Sequence, residues 1–560
     1  MKNYTIFLYF FFTISYSQNL SLNHDYIYDF LRYEQINEGE HKSTSFSIRP
    51  ISLKNFINSK YLTNHFENIY SNSKNSIEFK ILPIQYNTEF NLNHPYNRNN
   101  GNMLPNRGFQ HIFSLGIYSK IGPLEIQFSP EHHYGQNKNY EGFWVGHEDI
   151  IWQRKYELWN FIDIPERFGE KRQNRELIGQ SYISLNYKSL SIGVSNENLW
   201  WGPSKRNSIM MSNHPSGFKH LFIKSNKAFK TFFGDIEFQI ISARLEASKY
   251  TPPSPEREYA GTKLYVPKIN QNGRVDDWRY FQGGILSFSP KWIKGLNFGF
   301  IRWAQMYRGL VEGDYWWMPG KPTYFPLFSN LFRKNDSIVE YEEQTDQAAG
   351  IFFRWLWAKS KFEIYGEFHR NDAIYNLRDF LVDSDHTRGL TLGLSKVINK
   401  QNNDLLISWE WTQLEQPAGN FVRRGGSWYE HSRVFHGYTN FGEVIGAGIG
   451  PGSNSQYLSI EKIKGFEKYK FAFEIIDHNN DFYVVAFQDS SDFRRYWKDF
   501  NFHLGFDKKF RNIWLSGNLL YSRSLNYQWE LNDNPKTYYI AGKDKNNFHA
   551  SFKLMYFIPF

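Results

Sequence analysis

Phe548-His549-Ala550-Ser551-Phe552-Lys553-Leu554-Met555-Tyr556-Phe557-Ile558-Pro559-Phe560 is the stretch whose reading decides the fold. Apart from the small Ala550, every even position is apolar, while the odd side opens with His549, Ser551 and Lys553. Side chains of a strand alternate between two faces, so this pattern is a strand with one greasy and one wet side. The alternation runs to a terminal aromatic. A closing strand of this kind is expected of an all-β, antiparallel transmembrane barrel in the outer membrane of a Gram-negative bacterium. Phe560 is the residue that the barrel-assembly machinery is expected to read.

The other end of the chain agrees. Met1-Lys2-Asn3 is basic, Ile6 to Phe12 is unbroken apolar or aromatic, and Ser15-Tyr16-Ser17 precedes Gln18. This reads as a signal peptide over residues 1–17, too short in its apolar core to span a bilayer. Nothing later approaches the roughly 20 apolar residues of a membrane helix.

Mean hydropathy is −0.59, a value suggesting a soluble protein, yet aromatics make up 19%. A barrel reconciles the two, because only alternate residues meet lipid while aromatic girdles raise Phe, Tyr and Trp. Cysteine is absent. An exported chain then owes nothing to disulfides, and the ladder of a closed sheet supplies the stability. The charge of +9, from 65 basic and 56 acidic residues, has two readings. One is plain solubility in transit; the other is affinity for an acidic glycan or for lipopolysaccharide phosphates.

Along the chain, residues 18–75 differ from the rest. Ile27, Phe30, Leu31 and Ile36 fall near helical spacing, as do Phe56, Ile57, Tyr61, Leu62, Phe66, Ile69 and Tyr70. They predict a small N-terminal helical element on the periplasmic side, under or against the barrel. From residue 76 to 560 the period is two: Ile77/Phe79/Ile81, Phe113/Leu115/Ile117, Leu405/Ile407/Trp409/Trp411, Phe502/Leu504/Phe506 and others. The phase switches across Gly122-Pro123 and across Lys188-Ser189, two tight hairpins. The runs amount to about 16–18 strands, with short turns alternating with long polar connections. Three insertions, 131–178, 250–280 and 306–347, are too polar to cross lipid and belong outside the cell or in the lumen.

Enzymatic signatures are missing. Gly313 to Lys321 continues into Pro322, where a phosphate loop needs Ser or Thr, and the glycines at 446, 448, 450 and 452 do not fit a dinucleotide fingerprint. His147-Glu148 lacks a second His four residues on, and Gly425 to Tyr429 fails the nucleophile-elbow pattern. His132-His133 beside Glu131 is a metal candidate without a matching ligand cluster. No catalytic residue, cofactor or metal is assigned, and no nucleic-acid partner.

Two segments are chemically denser than a wall requires: Asn198 to Pro215, with Trp200, Trp201, Arg206 and Asn207, and Arg423 to Asn440, with Tyr429, His431 and Arg433. Flat aromatics stack on the C–H face of a pyranose, amides and hydroxyls meet its hydroxyls, and Arg pairs with acidic sugars. The competing reading is structural: ion pairs fill barrel lumens and Trp marks membrane interfaces.

Asn198 to Asn213 (NLWWGPSKRNSIMMSN), Tyr365 to Leu381 (YGEFHRNDAIYNLRDFL) and Trp428 to Asn454 (WYEHSRVFHGYTNFGEVIGAGIGPGSN) resemble the Wzi capsule-assembly family in its Bacteroidetes-type form. The resemblance runs from about residue 20 to the C-terminus. It implies a barrel of about eighteen strands with a periplasmic helical element. It also implies a lectin, not an enzyme, that attaches or organises capsular or exopolysaccharide at the cell surface. The residues it marks are Trp200, Trp201, Arg206, Asn207, Arg370, Arg378, Tyr429, His431 and Arg433. The expected state is a monomer in contact with outer-membrane lipid and lipopolysaccharide. The alternative function is a substrate-specific porin or diffusion channel.

Overall fold

The computed structural model describes residues 19–39, 44–52, 55, 77–268, 278–309, 327, 345–371, 377–417, 425–487, 493–531 and 543–558. Residues 1–17, residues 56–75 of the expected helical element, Arg423 and Phe560 lie outside them. Among the described residues, twenty-three strands form one closed barrel. Five passes are interrupted (77–91, 108–121, 124–135, 173–187 and 220–230), so the described wall makes eighteen antiparallel passes. Pro83 and Pro130 sit at two of the breaks, where a residue without an N–H cannot serve a ladder. The strand Lys545–Tyr556 closes the cylinder on Ile84–Asn91, with His549 opposite Asn91 and Tyr556 opposite Ile84.

Alternation sets the two faces. In Asn454–Lys464 (NSQYLSIEKIK), Ser455, Tyr457, Ser459, Glu461 and Ile463 are buried while Gln456, Leu458, Ile460 and Lys462 are exposed. The closing strand does the same: Phe548 and Phe552 face outward, Asn547 and His549 inward. Outward Ile, Leu and Phe meet lipid, and inward polar groups pair among themselves. Among the described residues no helix is long and apolar enough to cross a membrane.

The lumen is filled. Its main apolar cluster includes Trp201, Met210, Phe281, Trp303, Trp428 and Tyr438. The helix α1 (Asp25–Glu38) lies in the end of the barrel that carries the short turns. It packs against the inner face of the wall. Tyr26 stacks on Trp514 at 4.7 Å, and Phe30 packs tilted against Phe466 at 4.8 Å. Lys553 and Lys468 of the wall reach Asp25 and Asp29 at 2.7 and 3.2 Å. Arg32 Nε donates to Glu363, 3.1 Å away.

Two boundaries differ from the sequence reading. The insertion 131–178 contains wall at both ends, Glu131–Gly135 and Gln173–Leu177, with a helix Asp149–Trp159 between. Polar residues masked these strands because their inward side is wet: Glu131 and His133 are buried in the lumen. The terminal ladder stops at Tyr556. Phe557 turns inward onto the cluster around Tyr26 and Trp514, and its N–H meets the Asn512 carbonyl at 2.7 Å.

Candidate functional site

The segment 196–219 crosses the lumen. Trp200 and Trp201 form a short ladder with Arg49 and Ile48. Trp201 Nε1 donates to Gln239 at 2.8 Å, and the Arg49 guanidinium sits 4.9 Å from the Trp200 ring. The turn that follows is held on wall carboxylates. Ser204 N–H meets Glu367 at 3.1 Å, and the N–H groups of Lys205, Arg206 and Asn207 all converge on Glu410 at 2.7–3.1 Å. Successive amides aimed at one carboxylate form a cradle for negative charge. Gly202 permits it, with φ +111° and room only for a hydrogen, since a Cβ would lie 2.4 Å from Glu367 Oε1.

Arg206 anchors the segment's far side. Its Nε and Nη2 make a forked pair with Glu474 at 3.0 and 2.7 Å, and its guanidinium lies 4.8 Å from the Tyr457 ring. Burial works against the Arg206 charge, but the Glu474 carboxylate with its hydrogen bonds and the Tyr96 and Tyr457 phenols together outweigh it and raise its pKa.

The second segment packs on the first. Tyr429 Oη donates to the Ile209 carbonyl (3.0 Å) and accepts from Ala447 N–H (2.9 Å); Tyr438 Oη donates to the Met210 carbonyl (2.7 Å). Tyr438 lies flat on Trp303, centroids 3.9 Å apart. Gly446 of the glycine-rich run is where the two segments touch, and a Cβ there would meet the Ile209 carbonyl at 2.0 Å.

Trp200, Trp201, Arg206, Asn207 and Tyr429 are thus brought together, but as buried parts of a plug. The other marked residues lie apart. Arg370 is buried and its Nη1 donates to the Asp383 carbonyl at 3.2 Å. Arg378 is exposed on a short helix, Leu377–Val382. His431 accepts the N–H of Val434 at 2.9 Å, and Arg433 is exposed. His132 and Glu131 point to opposite faces, as neighbours on a strand must. Among the described residues no group of three or more His, Asp and Glu is placed to hold a metal.

Sequence reasoning missed the wall carboxylates Glu367, Glu410 and Glu474. The available signal was parity: Glu410 stands between Trp409 and Trp411, so its side chain faces the lumen when theirs face lipid.

Two hollows flank the plug. Toward α1 lies a cavity of about 190 Å³ lined by Asp29, Arg98, Lys205, Arg206, Lys470 and Lys553. At the long-connection end, a groove of about 600 Å³ opens where the insertions 136–172, 246–278 and 414–453 meet, lined by Phe168, Lys171, Arg172, Arg175, Tyr250 and Phe441 among others.

The model of the capsule assembly protein Wzi family matches residues 93–463. The chain belongs to the Wzi capsule-assembly family. The Wzi barrel of Escherichia coli superposes with a TM-score of 0.59 at 12% identity, covering 98% of this chain and 100% of that one. That protein is described as an outer-membrane carbohydrate-binding β-barrel involved in group 1 capsule assembly. Acinetobacter baumannii OccAB1 (TM-score 0.39, 8% identity, 87% of this chain and 98% of that) and Pseudomonas aeruginosa OprD (0.37, 7%, 87% and 95%) are more distant barrels. No curated protein matches in sequence. The Wzi family and the barrel fold place the chain in the outer membrane of a Gram-negative bacterium.

Proposed function

We propose that this Wzi-family barrel binds capsular or exopolysaccharide at the cell surface and holds it there without chemistry on it. The observation that carries this reading is the filled lumen. The lumen-crossing segment 196–219 is tied to Glu367, Glu410 and Glu474, the second segment is hydrogen-bonded onto it through Tyr429 and Tyr438, and α1 occupies the opposite mouth. A wall of this size left open is a channel; plugged, its outer mouth becomes a rigid platform for loops. The short-turn end faces the periplasm, residues 1–17 are a signal peptide removed on export, and 18–75 form the periplasmic element, whose described residues include α1 and the Ile48–Arg49 strand. The terminal Phe560 is read by the barrel-assembly machinery, and the working state is a monomer in lipid and lipopolysaccharide.

The test is a deletion strain. Capsule released into the medium, restored to the cell by the wild-type gene, is the expected result. Unchanged retention ends the proposal. Planar bilayers address the porin reading, which predicts large steady currents where the plugged barrel gives almost none.

A further inference from the structure

We propose that the groove at the outer mouth, walled by Tyr250, Phe441 and Arg175, is the sugar-contacting site and takes an anionic residue of the polysaccharide. This rests on the glycan-binding reading above and assigns it a place and a charge. The marked tryptophans and Tyr429 are unsuited to the task because they are buried inside the plug. Tyr250 and Phe441 instead leave 42% and 38% of their surface open.

Both rings are held in place. Tyr250 is braced edge-on by Phe168 at 5.7 Å, and its backbone N–H is tied to Ser248 Oγ at 3.2 Å. Phe441 stands at the tip of the hairpin that pairs Asn440 with Glu443, at φ +50°. Turns of this kind favour Asn or Gly at that position, and a Phe there is an uncommon, strained choice. The Phe441 N–H meets the Glu246 carbonyl at 2.9 Å and Asn440 Oδ1 accepts from Glu246 N–H at 3.1 Å, so the tip is pinned to the neighbouring insertion. An open, immobilised aromatic face is what stacks on the C–H side of a sugar at little entropic cost.

The charge argument is independent of the rings. Lys171 and Arg172 are exposed on the groove's rim. Arg175 lies deeper, near the Glu443 carboxyl, which burial keeps protonated up to about pH 8 and which therefore does not neutralise it; the Arg175 Nη1 is buried without a hydrogen-bond partner. Glu170 is the one carboxylate among the described lining residues, against three cations. A buried guanidinium nitrogen with no partner, next to two further cations, calls for an anion, and a carboxylate offers Arg a forked acceptor. A uronate and a sugar phosphate share that chemistry.

The test uses the full detergent-solubilised barrel and surface polysaccharide extracted from the cells that carry it. The polymer is used native, with carboxylates reduced to alcohols, or with phosphates removed. Wild type should bind the native polymer and lose about tenfold or more on one of the two treatments, which names the anion. Tyr250→Ala should weaken binding about 3- to 10-fold, and Arg175→Gln should weaken the native polymer but not the neutralised one. Lys171→Gln, on the exposed rim, serves as a second charge variant should Arg175→Gln disturb assembly; a heat-modifiable band in electrophoresis certifies each fold. Binding that is indifferent to all three variants and to neutralisation overturns the groove while leaving glycan binding intact. Absence of any binding to the native polymer overturns the glycan reading itself.

Discussion

At the residue scale, charge ties the plug to the wall while its apolar side chains pack inside the lumen. Removing the Arg206 side chain takes the charged partner from the fully buried Glu474 carboxylate and leaves it the Ser455 and Tyr96 hydroxyls, with His503 Nε2 3.7 Å away. Breaking one half of such a pair costs about 3–5 kcal/mol. Arg206→Ala should therefore loosen the lumen-crossing segment, seen as faster hydrogen exchange over 200–213, while the barrel still migrates as a folded band. Arg433→Ala, at an exposed position, should leave that exchange unchanged. Glu443 supplies a pH dependence. Burial pushes its carboxyl up to about 8, against the Arg175 charge and the Asn97 amide that pull it down. A carboxyl with a raised native pKa keeps its proton in the fold and releases it on opening. Its contribution is thus full below the unfolded value near 4.5 and is lost as pH rises through about 8. Protection of the 439–444 hairpin should fall across that window in wild type, and Glu443→Gln should flatten the fall.

At the element scale, α1 acts as a stopper whose polar stripe reads the inner wall. Asp25, Asp29 and Arg32 each find a partner on a different strand, while Tyr26 and Phe30 pack on Trp514 and Phe466. A barrel lacking residues 19–39 keeps its ladder, since no strand of the cylinder is removed. It should insert normally yet show increased conductance in planar bilayers. Conductance equal to wild type would mean that the 196–219 segment alone seals the lumen.

At the scale of the whole molecule, the stability of the inserted barrel depends on its outward face. Leu458 faces lipid between inward Tyr457 and Ser459. Leu458→Arg should cost about 2–4 kcal/mol near the midplane and much less toward either rim, measurable as a lower denaturant midpoint in a folding titration in vesicles.

What the sequence determined by itself was periodicity. A strand's side-chain alternation is local, so the greasy parity of Phe548 and Phe552, or of Phe502, Leu504 and Phe506, names the wall without knowledge of any partner strand. The motifs Trp200 to Asn207 and Gly446 to Gly452 were legible by composition and resemblance, one as a mixture of aromatic and polar residues and the other as a glycine-rich run. What they do was decided by tertiary structure. Glu410 and Glu474 lie more than two hundred residues from the amides and guanidinium they hold, and only closure of the cylinder brings them together. The same closure turned Trp201 and Tyr429 into buried packing and set Tyr250 and Phe441, from two insertions, and Arg175, from the wall strand Gln173–Leu177, around one groove. Burial and proximity are properties of the closed barrel, and no local pattern encodes them.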